Sequence, residues 1–112
     1  MLSKKDIIEI NKQFDAGIII NESSLDYAIN ATEKSRNWLK SAAILTRAIL
    51  IDHVFEDGNK RTSAAVIMLL MDLNHLPFDP AKIPKTIVTI LLKNKTDIIE
   101  IERCIKDAIR PY

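Results

Sequence analysis

Residues 53–62 hold most of the side chains in this sequence that could perform chemistry together. They read His-Val-Phe-Glu-Asp-Gly-Asn-Lys-Arg-Thr, and strongly apolar segments precede and follow them. The two apolar segments predict buried helices, so the polar residues fall at the corner between them. Placing this many polar and ionisable groups there is costly for a turn that only connects two helices. The composition of the corner therefore indicates a functional site.

The residues around Gly58 favour the binding of an anion. Asn59, Lys60 and Arg61 are predicted to begin a helix, where unpaired backbone N–H groups and the helix dipole attract negative charge. Gly58 lets the backbone approach a ligand closely because it has no Cβ. Lys60 and Arg61 add positive charge that suits phosphate. Since the dipole disfavours cations at this end of a helix, a functional reason for them is preferred to a stabilising one.

Three other residues of the stretch complete the hypothesis. Asp57 offers hard oxygen ligands beside the anion site and suits a Mg²⁺ ion that bridges two phosphates. His53, at the predicted end of the preceding helix, can serve as a general base near neutral pH. Phe55 is interpreted as the anchor that holds the loop in the core. Alone, His53 could satisfy local carbonyls and Asp57 could form a turn, but their combination favours the functional interpretation.

Two central helices, over residues 37–52 and 59–74, are expected to position this corner. Their apolar residues cover most of the circumference, which is typical of helices inside a fold. Residues 84–92 include β-branched residues that suit a strand, but a helix is favoured because no strong partner strand exists. Two glycines in 112 residues leave little scope for tight hairpins. The sequence thus predicts a single compact all-α domain over residues 1–112.

Capping residues predict the ends of the outer helices. Ser3 and Asp6 have the spacing of a capping box. Phe14 falls on the inward face of the helix that follows, and Gly17 is expected to stop it. A short apolar stretch over residues 18–20 then predicts an extended loop or a brief strand. Thr96 is expected to cap the last helix.

The composition argues against several classes of protein. The net charge is +1, from 16 Lys and Arg and 15 Asp and Glu, whereas direct binding of nucleic acid usually requires a basic excess. The longest apolar run, residues 64–71, is far shorter than the roughly 20 residues of a membrane span. Cys104 is the single cysteine, so no intramolecular disulfide can form, and we expect it to be a buried, inert thiol. A cytoplasmic location fits best.

Residues 53–61 resemble the motif of the Fic/Doc family, His-x-Phe-x-Asp/Glu-Gly/Ala-Asn-Gly/Lys-Arg, at all seven of its constrained positions. The resemblance covers about residues 6–78. It implies an all-α enzyme that transfers a phosphate-containing group from a nucleotide onto a Ser, Thr or Tyr hydroxyl of a target protein. In that reaction His53 would deprotonate the hydroxyl, and Asp57 would hold Mg²⁺ with ATP or another NTP. Residues 58–61 would surround the phosphates.

Two positions bear on the branch of the family. Lys60 is similar to the Doc (death-on-curing) toxin branch, whose members resemble kinases in transferring the γ-phosphate, whereas adenylylating Fic enzymes usually have glycine there. Ala64 stands where many Fic enzymes have a further arginine. We therefore favour Doc-like phosphotransfer, with Fic-type adenylylation (AMPylation) as the alternative. A non-catalytic helical module that binds nucleotide or protein is a second alternative, and a purely structural bundle a third.

One further pattern concerns inhibition. Some Fic proteins carry their own inhibitory helix, and Thr96 and Glu100 have the spacing of its motif. Ile101, however, occupies the final position, where the motif has glycine or asparagine. We therefore interpret Thr96 as a cap and Glu100 as a surface carboxylate. On this interpretation, inhibition would come from a separate antitoxin protein.

Overall fold

The computed structural model of the chain describes residues 2–93 and 96–109. The described residues form six α-helices: α1 (Lys4–Asn11), α2 (Glu22–Glu33), α3 (Trp38–Thr46), α4 (Asn59–Leu73), α5 (Lys82–Leu92) and α6 (Ile98–Lys106). Their β-structure is limited to two isolated antiparallel bridges, Ile19 with Phe55 and Phe78 with Ile109. The predicted all-α fold is confirmed. Among the described helices, none is both long enough and apolar enough to cross a membrane.

Helix α3 lies at the centre and packs against α2, α4 and α6. Helix α4 packs against α1, α3 and α5. The core between them is aliphatic: Leu45, Ile67 and Met71 are almost completely inaccessible to solvent. Burial of such side chains supplies most of the stabilisation that a small helical fold needs. The two predicted central helices are therefore present, and the corner that joins them is held between well-packed elements.

The end of the first central helix differs from a regular α-helix. After Thr46 the chain continues as a π-helical turn, Arg47–Ile51, which we call the π-turn. The amide of Asp52 donates to the carbonyl of Arg47 at 3.1 Å, five residues back. Such wide turns are rare in proteins, and those that do occur are often found at functional sites. The predicted extent, residues 37–52, is close to the observed one, but the change in helix type was not foreseen.

The capping box predicted for α1 is confirmed. The hydroxyl of Ser3 accepts from the amide of Asp6 at 3.1 Å, and the carboxylate of Asp6 accepts from the amide of Ser3 at 2.9 Å. Hydrogen bonds to the carboxylate from the backbone and the side chain of Ser3 lower the pKa of Asp6. The predicted stop at Gly17 is wrong, because α1 already ends at Asn11. Phe14 consequently lies in the turn after the helix, 36% exposed, and not on an inward helical face.

The C-terminal helices confirm one prediction and correct two. Residues 84–92 are helical, within α5. The predicted cap of α6, Thr96, is wrong: Asp97 is the cap, and its Oδ1 accepts from the amide of Ile99 at 2.8 Å. The carboxylate one residue later lies directly at the first turn and displaces the hydroxyl from that role. Cys104 is partly exposed rather than buried, because it lies at the edge of the inward face of α6.

A buried hydroxyl at the end of α3 gives a test of the packing. Thr46 is inaccessible, and its Oγ1 has no hydrogen-bond partner among the described residues. Replacing it with valine, which has the same shape, should raise the free energy of unfolding by about 1 kcal/mol, because an unpaired buried hydroxyl is removed. Denaturant unfolding measures the change. Thr32→Val is the matched control, since that equally buried hydroxyl donates to the carbonyl of Ile29 at 2.9 Å. The control should be destabilised, and a shift of both variants in the same direction would contradict the assignment.

Candidate active site

The loop between the π-turn and α4 begins at His53, which has a left-handed backbone with φ +52°. That conformation is uncommon for a residue other than glycine. This backbone conformation ends the helix. The His53 side chain is exposed to solvent. A residue held in a left-handed conformation next to a π-turn needs surrounding structure to keep it there. The loop that follows supplies that structure.

Phe55 holds the loop on its inner side. It is fully buried, and its backbone forms an antiparallel bridge with Ile19. Around the bridge, the amide of Glu56 donates to the carbonyl of Ile18 at 2.9 Å, and the amide of Ile20 donates to the carbonyl of Val54 at 2.8 Å. The brief extended segment predicted at residues 18–20 is therefore present. This segment pairs with the loop and holds the loop backbone against the core.

Asn59 closes the loop from its other end. Its Oδ1 accepts from the amide of Phe55 at 3.1 Å, and its Nδ2 donates to the carbonyl of Phe55 at 2.8 Å. Both ends of the side-chain amide are thus committed to the loop backbone. In the predicted phosphate site, Asn59 would therefore contribute its backbone N–H, while its side chain shapes the loop.

Helix α4 begins without a side-chain cap. Its N-cap is Gly58, which has φ +77° and no side chain to accept a hydrogen bond. The first N–H groups of a helix have no acceptor within the helix, and they carry the positive end of its dipole. Lys60 and Arg61, in this first turn, are both exposed, and neither forms an ion pair with a described residue. The start of α4 thus combines free backbone donors with two cations.

Asp57 lies directly before this helix start and is exposed. Its Oδ1 accepts from the amide of Gly58 at 2.8 Å, which orients the carboxylate. The described residues contain no group of three or more His, Cys, Asp or Glu that could hold a metal ion by themselves. Mg²⁺ in nucleotide sites is commonly bound by one or two carboxylates together with the phosphates of the substrate. A single carboxylate beside a site for phosphates fits that requirement.

The residues predicted to take part in catalysis or in phosphate and metal binding line one open cleft with a volume of about 570 Å³. The cleft is bounded by Phe14, Leu50, His53, Glu56, Asp57, Gly58, Asn59, Lys60, Arg61 and Leu91. Of the predicted site residues, Phe55 alone is absent from the lining, as expected of a residue that only supports the loop. Sequence reasoning missed Phe14 and Leu91, since these apolar residues come to the cleft from distant parts of the chain and carry no local pattern that would indicate it. Glu56 also lines the cleft.

A second groove, of about 760 Å³, lies beside α2, α3 and the π-turn. It is larger, and its lining includes the cations Lys34, Lys40 and Arg47. Among the described residues, its lining includes no histidine and no glycine-flanked helix start. The smaller cleft therefore offers the more complete set of chemical groups.

A family model described as the Fic/DOC family matches residues 11–71, which is more than half of the chain. The chain belongs to the Fic/Doc family. No curated protein and no solved structure matches it. Fic/Doc domains are usually transferases that move a nucleotide-derived group onto proteins. The matched residues of this Fic/Doc chain include the complete loop and nearly all of α4, and hence most of the cleft.

The last helix of this Fic/Doc domain stands apart from the cleft. Helix α6 packs against α3 and α5, and none of its described residues lines the cleft. Oε1 of Glu100 lies 3.3 Å from Nη1 of Arg103 within the same helix. Inhibition by a separate antitoxin stays a prediction.

Proposed function

We propose that this Fic/Doc protein is a Doc-like toxin that transfers the γ-phosphate of ATP onto a Ser, Thr or Tyr hydroxyl of a target protein. One observation carries the proposal: His53, Asp57 and the cationic start of α4 line the same cleft. A base, a carboxylate for Mg²⁺ and donors for phosphate are the groups that phosphoryl transfer requires. The reaction needs little covalent chemistry from the protein, so positioning these groups is most of the catalysis.

In the proposed reaction, the oxygen of the target hydroxyl forms a bond to the γ-phosphorus. The bond between that phosphorus and the oxygen bridging it to the β-phosphate breaks, and ADP leaves. The imidazole of His53 accepts the hydroxyl proton. Because this side chain is exposed at the edge of the cleft, a hydroxyl presented by another protein has access to it.

The remaining groups act on charge. The N–H groups at the start of α4, with Lys60 and Arg61, would hold the phosphates and stabilise the negative charge on the transferred group. Asp57 would hold Mg²⁺, which when bound neutralises charge on the nucleotide phosphates. Nothing in this set requires a basic surface beyond the cleft, in agreement with a net charge of +1.

Lys60 favours transfer of the γ-phosphate over adenylylation. The residue supplies a positive charge at a position where adenylylating Fic enzymes usually have glycine, and such a charge would attract an additional phosphate. Ala64, one helical turn after Lys60, contributes no charge where many Fic enzymes have arginine. Loss of that cation weakens the case for attack at the α-phosphate. The alternative, AMPylation of Ser, Thr or Tyr, differs in which phosphorus is attacked and is separated by labelling.

Incubation with cell lysate and radiolabelled ATP tests the proposal. The expected result is a labelled target protein when the label is on the γ-phosphate and none when it is on the α-phosphate, because γ-transfer leaves the α-phosphate in ADP. Labelling from the α-position would instead indicate adenylylation. Absence of label from both nucleotides would contradict catalysis of either kind.

The same missing cation at Ala64 favours a second candidate, a non-catalytic module that binds nucleotide without transferring it. Mg²⁺ and ATP should then raise the melting temperature, because a ligand that binds only the folded state stabilises it. Growth arrest on expression that is relieved by His53→Ala would contradict this candidate. No shift of the melting temperature would contradict nucleotide binding altogether.

A further inference from the structure

A buried amide connects α1 to the loop of the cleft. Asn11, the last residue of α1, is completely inaccessible to solvent. Its Nδ2 donates to the carbonyl of Asp57 at 3.0 Å and to Oγ1 of Thr62 at 3.0 Å. Its Oδ1 accepts from the amide of Gly17 at 2.9 Å. One side chain thus joins the end of α1 to nearby Gly17, to the distant loop at Asp57 and to the first turn of α4 at Thr62.

The bond to Asp57 is the one that concerns the cleft. It holds the carbonyl of the peptide between Asp57 and Gly58, and Asp57 lines the cleft. A Cβ at Gly58, the residue that follows this carbonyl, would lie 3.0 Å from the same Nδ2 of Asn11. Gly58 therefore has the left-handed φ of +77° and also lacks the atom that would push Asn11 away. The amide and the glycine fit together as one arrangement.

The chemistry of the three bonds is specific to asparagine. An amide side chain offers two N–H donors and a carbonyl acceptor, and here both donors and the acceptor are used. An aspartate at this position would keep the acceptor for Gly17 but would have no donor for the carbonyl of Asp57. An apolar residue would lose all three bonds. Because Asn11 does not line the cleft, it would act on a ligand only through the loop.

We propose that Asn11 is a positioning residue for the phosphotransfer site. It fixes the Asp57–Gly58 peptide so that the Asp57 carboxylate and the first N–H groups of α4 face the same phosphates. The effect on transfer rests on the proposed function. The effect on the loop does not, because the hydrogen bonds of Asn11 join groups of the protein to one another.

The test compares Asn11→Ala with Thr62→Val. Both variants lose the buried hydrogen bond between Asn11 and Thr62 and should lose stability, but Thr62→Val keeps the bonds of Asn11 to Asp57 and Gly17, which Asn11→Ala also loses. In Asn11→Ala, the NMR order parameter of the Gly58 amide should fall from about 0.85, typical of rigid backbone, to below about 0.6. The Mg²⁺ concentration for half-maximal transfer should rise about tenfold, as for other residues that orient a metal ligand. In Thr62→Val, both quantities should stay close to those of the parent protein.

Each outcome decides the proposal. A Gly58 amide as rigid in Asn11→Ala as in Thr62→Val would overturn it, and so would a mobile amide with an unchanged Mg²⁺ dependence. If Asn11→Ala fails to fold, Asn11→Leu removes the same bonds while keeping the side-chain volume, and the same comparison applies. A parent protein that transfers no label would contradict the proposed function, while the order parameter would still report whether Asn11 fixes the loop.

Discussion

Replacing His53 with alanine is expected to slow labelling of the target protein by a factor of about 10² to 10⁴, the usual contribution of a general base. The imidazole is exposed and lines the cleft beside Asp57, so its removal takes away the proton acceptor without opening the core. The melting temperature should therefore change little. The rate of γ-phosphate transfer, measured at saturating ATP and Mg²⁺, checks the expectation.

His75 provides an unusually close control for this substitution. It is also exposed, and its backbone is also left-handed, with φ +56°, but it lies outside the cleft. Alanine carries a similar conformational penalty at both positions, so the comparison isolates the imidazole. We expect His75→Ala to transfer phosphate at the rate of the parent. Equal losses in the two variants would contradict a role for His53 as the base.

The polar residues of the loop are tolerated because some of them form hydrogen bonds with the loop backbone and the others are exposed. The side-chain amides of Asn59 and Asn11 form hydrogen bonds with the loop backbone, at Phe55 and Asp57 respectively. The groups assigned to chemistry, such as His53, are instead exposed to the cleft. Buried polar groups with complete hydrogen bonding cost little and make a conformation specific. The loop can therefore present a carboxylate and free backbone donors without a penalty in its interior.

The parts of this protein that sequence predicted are those set by local chemistry. The capping box of α1 depends on two residues three apart, and the two central helices depend on continuous apolar periodicity. The polar groups that line the cleft also lie within one short stretch, residues 53–61, so their convergence follows from a single helix–loop–helix corner. Residues 84–92 are helical despite their β-branched residues, because the described chain offers them no strand to pair with.

The parts that sequence missed depend on contacts between distant residues. The polar side chain of Asn11, adjacent to Ile10 near the end of α1, was the available signal, since an asparagine among inward-facing positions needs buried partners. Those partners, Asp57 and Thr62, cannot be deduced from spacing. The contact of Gly17 was missed for the same reason, because its amide donates to the side chain of Asn11. Phe14 was assigned to the interior by helical periodicity that stops three residues before it.

Replacing Phe55 with alanine is expected to lower the free energy of unfolding by about 3 to 5 kcal/mol, as for other large buried side chains. The ring is completely inaccessible, and its loss leaves a cavity beneath the loop that the bridge to Ile19 and the amide of Asn59 cannot fill. Small domains have about 5 to 15 kcal/mol in total, so the variant should be close to unfolding. Urea titration followed by circular dichroism measures the change.

Two companion variants separate the anchoring of the loop from general sensitivity to losing an aromatic ring. Phe14→Ala removes the same ring from a position that is 36% exposed at the cleft, and it should lower the free energy of unfolding by only about 1 to 2 kcal/mol, because part of the ring already contacts solvent. Phe55→Leu keeps most of the apolar volume and should lose less than Phe55→Ala, because the residual cavity is smaller. If Phe55→Ala proved no less stable than Phe14→Ala, the loop would have to be held by its hydrogen bonds alone, and Phe55 would not be its anchor.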